Sequence, residues 1–152
     1  MTQQNPNRHR RAGGVYVATH VDEVLRAALA RFPAAEITMV PPGSADKLRA
    51  AAYLVAPGVP HMRTLIEAFA AGVPVIASRQ GAHAELVEPG RNGLLFEPGS
   101  AADLARCLRW AEAFPERMRE MGEFARADYR ARFISSWSYS TLFPERRRSV
   151  RA

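Results

Sequence analysis

The chain has 152 residues, a formal net charge of +6 and an apolar content of 47%, values typical of one globular domain. No apolar run approaches the roughly 20 residues of a membrane-spanning helix, and the first fourteen residues lack the apolar stretch of a secretory signal. A single cysteine excludes an internal disulfide framework and a cysteine-based metal site. We therefore expect a soluble, cytoplasmic, single-domain protein.

The net charge lies at the two ends of the chain. Residues 1–14 and 144–152 contain seven arginines and one glutamate, whereas residues 12–144 hold equal numbers of basic and acidic side chains. We predict basic flexible tails at 1–14 and 144–152, flanking a domain at 15–143. Such tails favour a solubilising role and are also able to contact an anionic membrane surface peripherally. Because the body is neutral, nucleic-acid binding is not expected.

Five short apolar runs alternate with amphipathic segments along the first two thirds of the chain. Their length and β-branched content predict strands, and the apolar spacing of three or four residues between them predicts helices. The predicted strands cover residues 15–19, 37–40, 53–56, 73–77 and 94–96. The predicted helices cover residues 21–32, 44–51, 61–71 and 82–87. Strands that alternate with helices form parallel sheets covered on both faces.

The last third of the chain is predicted to be helical. Ser100 and Asp103 form a helix start signal, and Pro115 occupies a favoured first position of a second helix. That second helix carries an apolar stripe at Met118, Met121, Ala125 and Tyr129. A final segment at 133–143 is expected to pack back on the domain. The predicted fold is therefore α/β, a Rossmann-like, doubly wound parallel sheet of about five strands with C-terminal helices.

Several residue types that often carry chemistry have structural interpretations here. Cys107 lies at an apolar helical position and is expected to be buried. The aromatic pairs Trp110 with Phe114 and Tyr129 with Phe133 are four residues apart, which is typical of packing within a helix rather than of a base-stacking platform. The histidines have no metal-ligand spacing, so we expect no metal site. Neither a G-x-G-x-x-G fingerprint nor a P-loop is present.

The region from residue 56 to residue 98 resembles the donor-binding half of group 1 glycosyltransferases, the retaining enzymes of the GT-B architecture. The resemblance depends on Ala56-Pro57, Leu65-Ile66-Glu67-Ala68, the run AGVPVIA at 71–77, Gly81, Glu85-Leu86-Val87 and Asn92-Gly93-Leu94-Leu95. In order along the chain it extends over residues 15–143. It implies a C-terminal donor domain that lacks the family's opening strand and helix and its acceptor domain.

The resemblance assigns a nucleotide site to the helix that contains Glu67. It implies that Glu67 binds the ribose hydroxyls and that the backbone at His61, Met62, Arg63 and Thr64 contacts phosphate or sugar. A carboxylate accepts two hydrogen bonds from a vicinal diol, and the helix start favours anions, which agrees with these roles. Gly81 in the next turn would let the backbone approach the ligand. The implied donor is a nucleotide diphosphate sugar, with no further cofactor.

Simpler interpretations remain open for the same residues. Glu67 follows Arg63 by four residues, so the two side chains also fit a surface ion pair. His61 fits a solvent-exposed residue at a helix start, and His83 a turn residue.

The chain departs from the family pattern at three places. The family's second glutamate, eight positions before the first, is replaced by Val59, which cannot hydrogen-bond a sugar hydroxyl. The neighbouring aromatic residue and glycine are replaced by His61 and Met62. The arginine and lysine of the family's opening unit are missing, and Arg63 and Arg79 are the candidates to supply positive charge.

Two functions follow from the match and the departures. The first is a glycosyltransferase-like donor domain that binds a nucleotide diphosphate sugar and is inactive without an acceptor-domain partner. The second is a non-catalytic interaction module with a degenerate sugar-nucleotide site and basic tails. Because a truncated domain can expose a sheet edge, a homodimer is a further expectation. No catalytic residue is assigned.

Overall fold

The computed structural model describes residues 16–18, 21–31, 37–39, 48–58 and 62–134. The strands are β1 (Tyr16–Ala18), β2 (Ile37–Met39), β3 (Tyr53–Ala56), β4 (Val75–Ser78) and β5 (Gly93–Phe96). The helices are α1 (Glu23–Arg31), α2 (Met62–Ala70), α3 (Gly81–Leu86), α4 (Ala101–Ala113) and α5 (Pro115–Tyr129), followed by a π-helical turn at Arg130–Ile134. The predicted tails and most of the closing segment at 133–143 lie outside the described residues.

The five strands form one parallel sheet in the order β2-β1-β3-β4-β5. The predicted doubly wound α/β fold is confirmed. After β1 the chain passes to β2 on one side of it and then crosses to β3 on the other side, so the winding reverses between β1 and β3. In open α/β sheets ligands bind beyond the carboxyl ends of the strands at this reversal.

The end of α2 explains why β4 begins later than predicted. Gly72 has a φ of +73° and its N–H donates to the Phe69 carbonyl at 3.0 Å, while the Val73 N–H donates to the Ala68 carbonyl at 2.9 Å. These bonds satisfy the last carbonyls of the helix in a left-handed glycine cap. The predicted strand at 73–77 is therefore shifted to Val75–Ser78, because Val73 still belongs to the cap.

Two apolar layers cover the sheet. One layer joins α1 and α4 to the sheet through Leu25, Ala28, Tyr53, Val55, Ile76, Phe96, Leu104, Ala105, Cys107, Leu108 and Ala111. The other joins α2 to the opposite face through Leu54, Ala56, Leu65, Ala68, Phe69, Val75, Ala77, Val87 and Leu95. Burial on both faces explains why β3 and β4 are apolar at nearly every position rather than at alternate positions.

Helix α5 belongs to both layers. Met118 and Met121 pack with α1 and α4, and Ala125 packs with α2 on the other face. The crossing brings Gly122 against the backbone of the turn between α2 and β4, where a Cβ on Gly122 would overlap the Gly72 carbonyl oxygen. Glycine at position 122 thus permits the close contact that holds α5 across the end of the sheet.

We expect Gly122→Ala to destabilise the protein although alanine is the better helix former. Alanine would gain about 1 kcal/mol in helix propensity, but the methyl group must displace the Gly72 backbone, and such overpacking costs about 1–3 kcal/mol. A net fall in the free energy of unfolding of up to about 2 kcal/mol is expected in urea denaturation. Ala127→Gly, on the exposed face of α5, is the control and should lose only about 1 kcal/mol. A more stable Gly122→Ala variant would contradict the packing described here.

Cys107 is buried, as predicted, at 3% exposure within the layer formed by α1 and α4. Burial raises the pKa of its thiol to about 11, which keeps the sulfur protonated at neutral pH. The predicted aromatic pairs also pack as expected, with ring centroids 5.0 Å apart for Trp110 and Phe114 and 6.0 Å for Tyr129 and Phe133.

The folded protein should therefore resist thiol reagents. At pH 8 we expect modification of Cys107 by a chromogenic disulfide to be at least about a hundred-fold slower in buffer than in 6 M guanidinium, since only an exposed thiolate reacts. The measurement is the absorbance change over time. Equal rates in the two conditions would show that the apolar layer formed by α1 and α4 opens freely.

Candidate functional site

The candidate site lies at the carboxyl edge of the sheet, where the chain leaves β3 and enters α2. Helix α2 starts at Met62. The described part of the segment before it ends at Gly58, four residues earlier. Helix geometry leaves the first amides of α2 without intrahelical acceptors. They lie at the winding reversal of the sheet, and such free amides attract anions.

The predicted contacts at the start of α2 differ in exposure. Met62 and Arg63 are exposed, with 37% of Met62 accessible, whereas Thr64 is buried at 2%. His61 and Val59 lie outside the described residues. The start of α2 therefore presents two exposed side chains, whereas the Thr64 side chain is buried.

Glu67 is the partly buried acid of the site. Its Oε1 accepts a hydrogen bond from Arg63 Nε at 3.0 Å, so the surface ion pair anticipated from the spacing is formed. The Glu67 side chain is only 21% exposed, and its Oε2 is enclosed with no hydrogen-bond partner in the part of the chain that the structure describes. The ion pair therefore occupies one carboxylate oxygen and leaves the other unpaired.

A carboxylate oxygen in this state is costly to keep. An enclosed acceptor without a partner loses its hydration and destabilises a protein by about 1–3 kcal/mol. The Arg63 pair offsets only a few tenths of a kcal/mol, because the arginine side chain is 67% exposed. Packing therefore does not explain the acid at position 67.

Gly81 begins α3 directly after the turn that follows β4. Its φ of +50° lies in the left-handed region, which explains a glycine at this position. The preceding Gln80 is extended, so the chain changes direction between these two residues. The ligand contact implied for Gly81 stays a prediction.

A polar network, which sequence reasoning did not find, links this turn to the end of β3. Gln80 Nε2 donates to the Gly58 carbonyl at 3.0 Å and to Ser78 Oγ at 2.7 Å, and Ser78 Oγ donates to the same carbonyl at 3.2 Å. His83 Nδ1 lies 3.1 Å from the Ser78 carbonyl and 3.3 Å from Ser78 Oγ. Ser78 and His83 are fully buried.

The network could not be read from the local pattern because its members meet only in the folded sheet. Gly58 and Gln80 are 22 residues apart, and His83 resembled an ordinary turn residue. The one available signal was the polar Ser78 at the end of an otherwise apolar strand. The structure corrects the turn interpretation of His83, because the residue is a core histidine bonded to Ser78.

Arg79 points to the other side of β4. Its Nε forms an ion pair with Glu97 at 3.3 Å, and its N–H donates to the Phe96 carbonyl at 2.8 Å. It lines an open depression of about 570 Å³ with Leu95, Glu97, Ser100, Ala102, Asp103 and Arg106. Arg79 thus lies beside β5, whereas α2 follows β3, so the structure does not bring this arginine to Glu67.

The depression is held by the start of α4. Ser100 Oγ accepts a hydrogen bond from the Asp103 N–H at 3.1 Å, which confirms the predicted helix start. Asp103 Oδ2 accepts from the Glu97 N–H at 2.8 Å, and this bond, with Arg106 beside it, lowers the pKa of Asp103. The charges of the depression are paired with one another.

Neither a metal cluster nor a membrane span is found in the described ranges. No group of three or more histidine, cysteine, aspartate or glutamate side chains is placed to hold an ion there. Within the same ranges no helix has the length and apolar character needed to cross a bilayer.

The sheet order and the helices on both faces define a Rossmann-like α/β domain. Residues 62–128 match the family described as glycosyl transferases group 1. The predicted resemblance to group 1 glycosyltransferases is confirmed over these residues, which are 67 of the 152 in the chain. The match begins at α2 and ends in α5, so it includes Glu67, Gly81 and the network members Ser78, Gln80 and His83, but not Gly58.

Individual glycosyltransferases and solved structures also resemble this chain. A D-inositol 3-phosphate glycosyltransferase from Gordonia bronchialis is 35% identical over 96 residues, which are 59% of this chain and 21% of the relative. Sucrose-phosphate synthase from Thermosynechococcus elongatus superimposes with a TM-score of 0.73 at 24% identity, over 92% of this chain and 46% of its own. The Anabaena protein HepE in complex with UDP and glucose gives 0.70 at 20% identity, over 80% and 45%.

The chain is much shorter than these relatives. It spans about a fifth of the curated enzyme and just under half of each solved structure. At identities below 25% the two structures show a shared fold alone, and what they bind is a property of those proteins.

We expect Glu67→Met to stabilise the folded protein. The substitution keeps the length of the side chain and removes the enclosed unpaired oxygen, while the exposed pair with Arg63 that is lost contributes little. The free energy of unfolding should rise by about 1 kcal/mol, measured by urea denaturation at pH 7. A fall of similar size would show that Glu67 is a structural residue.

Proposed function

We propose that the chain is a donor-binding domain of a retaining glycosyltransferase and binds a nucleotide diphosphate sugar at the start of α2. The observation that carries the proposal is the enclosed, unpaired Oε2 of Glu67, five residues after a helix start at the winding reversal of the sheet. Proteins keep such a destabilising group most often where it acts on a ligand.

The spacing along α2 suits a nucleotide diphosphate. A rise of 1.5 Å per residue separates Met62 from Glu67 by about 7.5 Å along the helix axis. The diphosphate would accept hydrogen bonds from the first amides of α2 and gain from the helix dipole. Glu67 would accept hydrogen bonds from the ribose hydroxyls, and this requires the groups that enclose Oε2 to separate from it when the nucleotide binds.

We further propose that the chain does not transfer sugar by itself. Departure of the nucleotide diphosphate requires preorganised donors around the leaving group, and loss of one such donor typically costs about 2.7–4 kcal/mol. The two candidate arginines already form ion pairs, Arg63 with Glu67 inside the candidate site and Arg79 with Glu97 beside β5. Val59 adds no hydrogen bond. An acceptor-domain protein would have to complete the catalytic site.

Binding is tested by calorimetric titration of the full chain with UDP, GDP and ADP. We expect one of the three to bind at millimolar concentration or below, and Glu67→Gln to weaken it about ten-fold or more, since bonds to a charged group contribute about 1.5–3 kcal/mol. Compared with the ribose form, the 2′-deoxy form of that diphosphate should bind the wild type more weakly, because the Glu67 carboxylate accepts hydrogen bonds from both ribose hydroxyls. Glu67→Gln should bind the two forms equally well.

The control is Glu120→Gln, which breaks a comparable surface pair with Arg117 on α5 and should leave nucleotide affinity unchanged. If no diphosphate binds to the wild type at millimolar concentration, the donor-domain proposal is wrong and the non-catalytic interaction module is the remaining function. If Glu67→Gln still discriminates against the deoxynucleotide, another group reads the ribose.

A further inference from the structure

The polar network at Ser78 begins where backbone pairing between β3 and β4 ends. The last paired residues of the two strands are Ala56 and Ala77. One and three residues beyond Ala77, the side chains of Ser78 and Gln80 both donate to the carbonyl of Gly58, which lies two residues beyond Ala56. The network therefore continues the β3–β4 connection beyond the sheet, into the segment that leads to α2.

Gln80 occupies the central position in this network. Its side-chain amide has two hydrogens, and one goes to the Gly58 carbonyl and the other to Ser78 Oγ. The Ser78 hydroxyl accepts from Gln80 and donates to the Gly58 carbonyl, so the three groups form a closed triangle of hydrogen bonds. Replacing the Gln80 amide removes two of the three bonds.

His83 fixes the triangle to the core. His83 Nδ1 lies 3.1 Å from the Ser78 carbonyl oxygen, and in the tautomer protonated at Nδ1 it donates a hydrogen bond to that carbonyl. This bond ties the first turn of α3 to the end of β4, and both residues are fully buried. Gln80 thus connects Gly58 to a strand end that is hydrogen-bonded within the core.

We propose that Gln80 is a positioning residue of the donor site: by holding the Gly58 carbonyl just beyond β3, it sets where the chain leaves the sheet before α2, so that the first α2 amides face the diphosphate. The inference rests on the proposed function. Affinity for the diphosphate then depends on the Gln80 side chain, in the turn after β4, although this side chain does not itself contact phosphate. The effect should be specific to the phosphates, because the ribose is read by Glu67 on the body of α2.

The test compares each of UDP, GDP and ADP with its nucleoside, in the wild type and in Gln80→Met and Gln80→Glu. Methionine matches the shape of glutamine without a donor, and a glutamate carboxylate cannot donate to the Gly58 carbonyl. We expect both variants to bind the diphosphate about ten-fold more weakly and the nucleoside unchanged, by NMR titration. Backbone amides of Gly58 and of residues 62–64 should exchange with deuterium faster in both variants, with or without nucleotide.

The control is Glu123→Gln, which replaces a carboxylate with an amide, the opposite of Gln80→Glu, at an exposed position of α5. It should change neither the affinity for the diphosphate nor the rate of deuterium exchange. If wild type binds none of the diphosphates, the proposed function fails and this inference fails with it. If wild type binds and Gln80→Met loses diphosphate and nucleoside equally, or loses neither, only the positioning role of Gln80 is wrong. Thermal unfolding of each variant verifies that the domain is folded.

Discussion

Parallel pairing of β3 with β4 is the interaction on which both the core and the candidate site depend. The register Leu54 with Val75, Val55 with Ile76 and Ala56 with Ala77 sends alternate side chains of both strands into the two apolar layers. The same register brings Gly58 next to Ser78 at the carboxyl edge. A shift by one residue would exchange the two layers and separate the donors of the network from their acceptor.

Much of the fold could be predicted because its signals are local. Apolar β-branched runs gave all five strands to within two residues, and the start signals at Ser100 and Pro115 placed α4 and α5 correctly. Each depends on residues close together in the chain. Gly72 also ended α2 as expected, through a left-handed cap that glycine adopts readily.

What could not be predicted depends on residues that meet only through folding. Gly122 looks like a poor helix residue in the sequence. The reason for a glycine at this position is the close contact between α5 and the Gly72 backbone, which exists only in the folded protein. Glu67 was found through family resemblance. The spacing could not show that one of its carboxylate oxygens is paired with Arg63 while the other is enclosed without a partner among the described residues. Arg79 seemed close to the ligand because it follows β4, yet its side chain turns to Glu97 beside β5.

The passage of α5 across the sheet has a consequence for how the domain unfolds. Because Met121 belongs to one apolar layer and Ala125, one turn later, to the other, loosening α5 exposes both faces of the sheet at once. Partially unfolded forms that keep one layer intact are then unfavourable, and the domain should behave as one cooperative unit. A protease would find few cleavable open states short of global unfolding, although the strands are only three or four residues long.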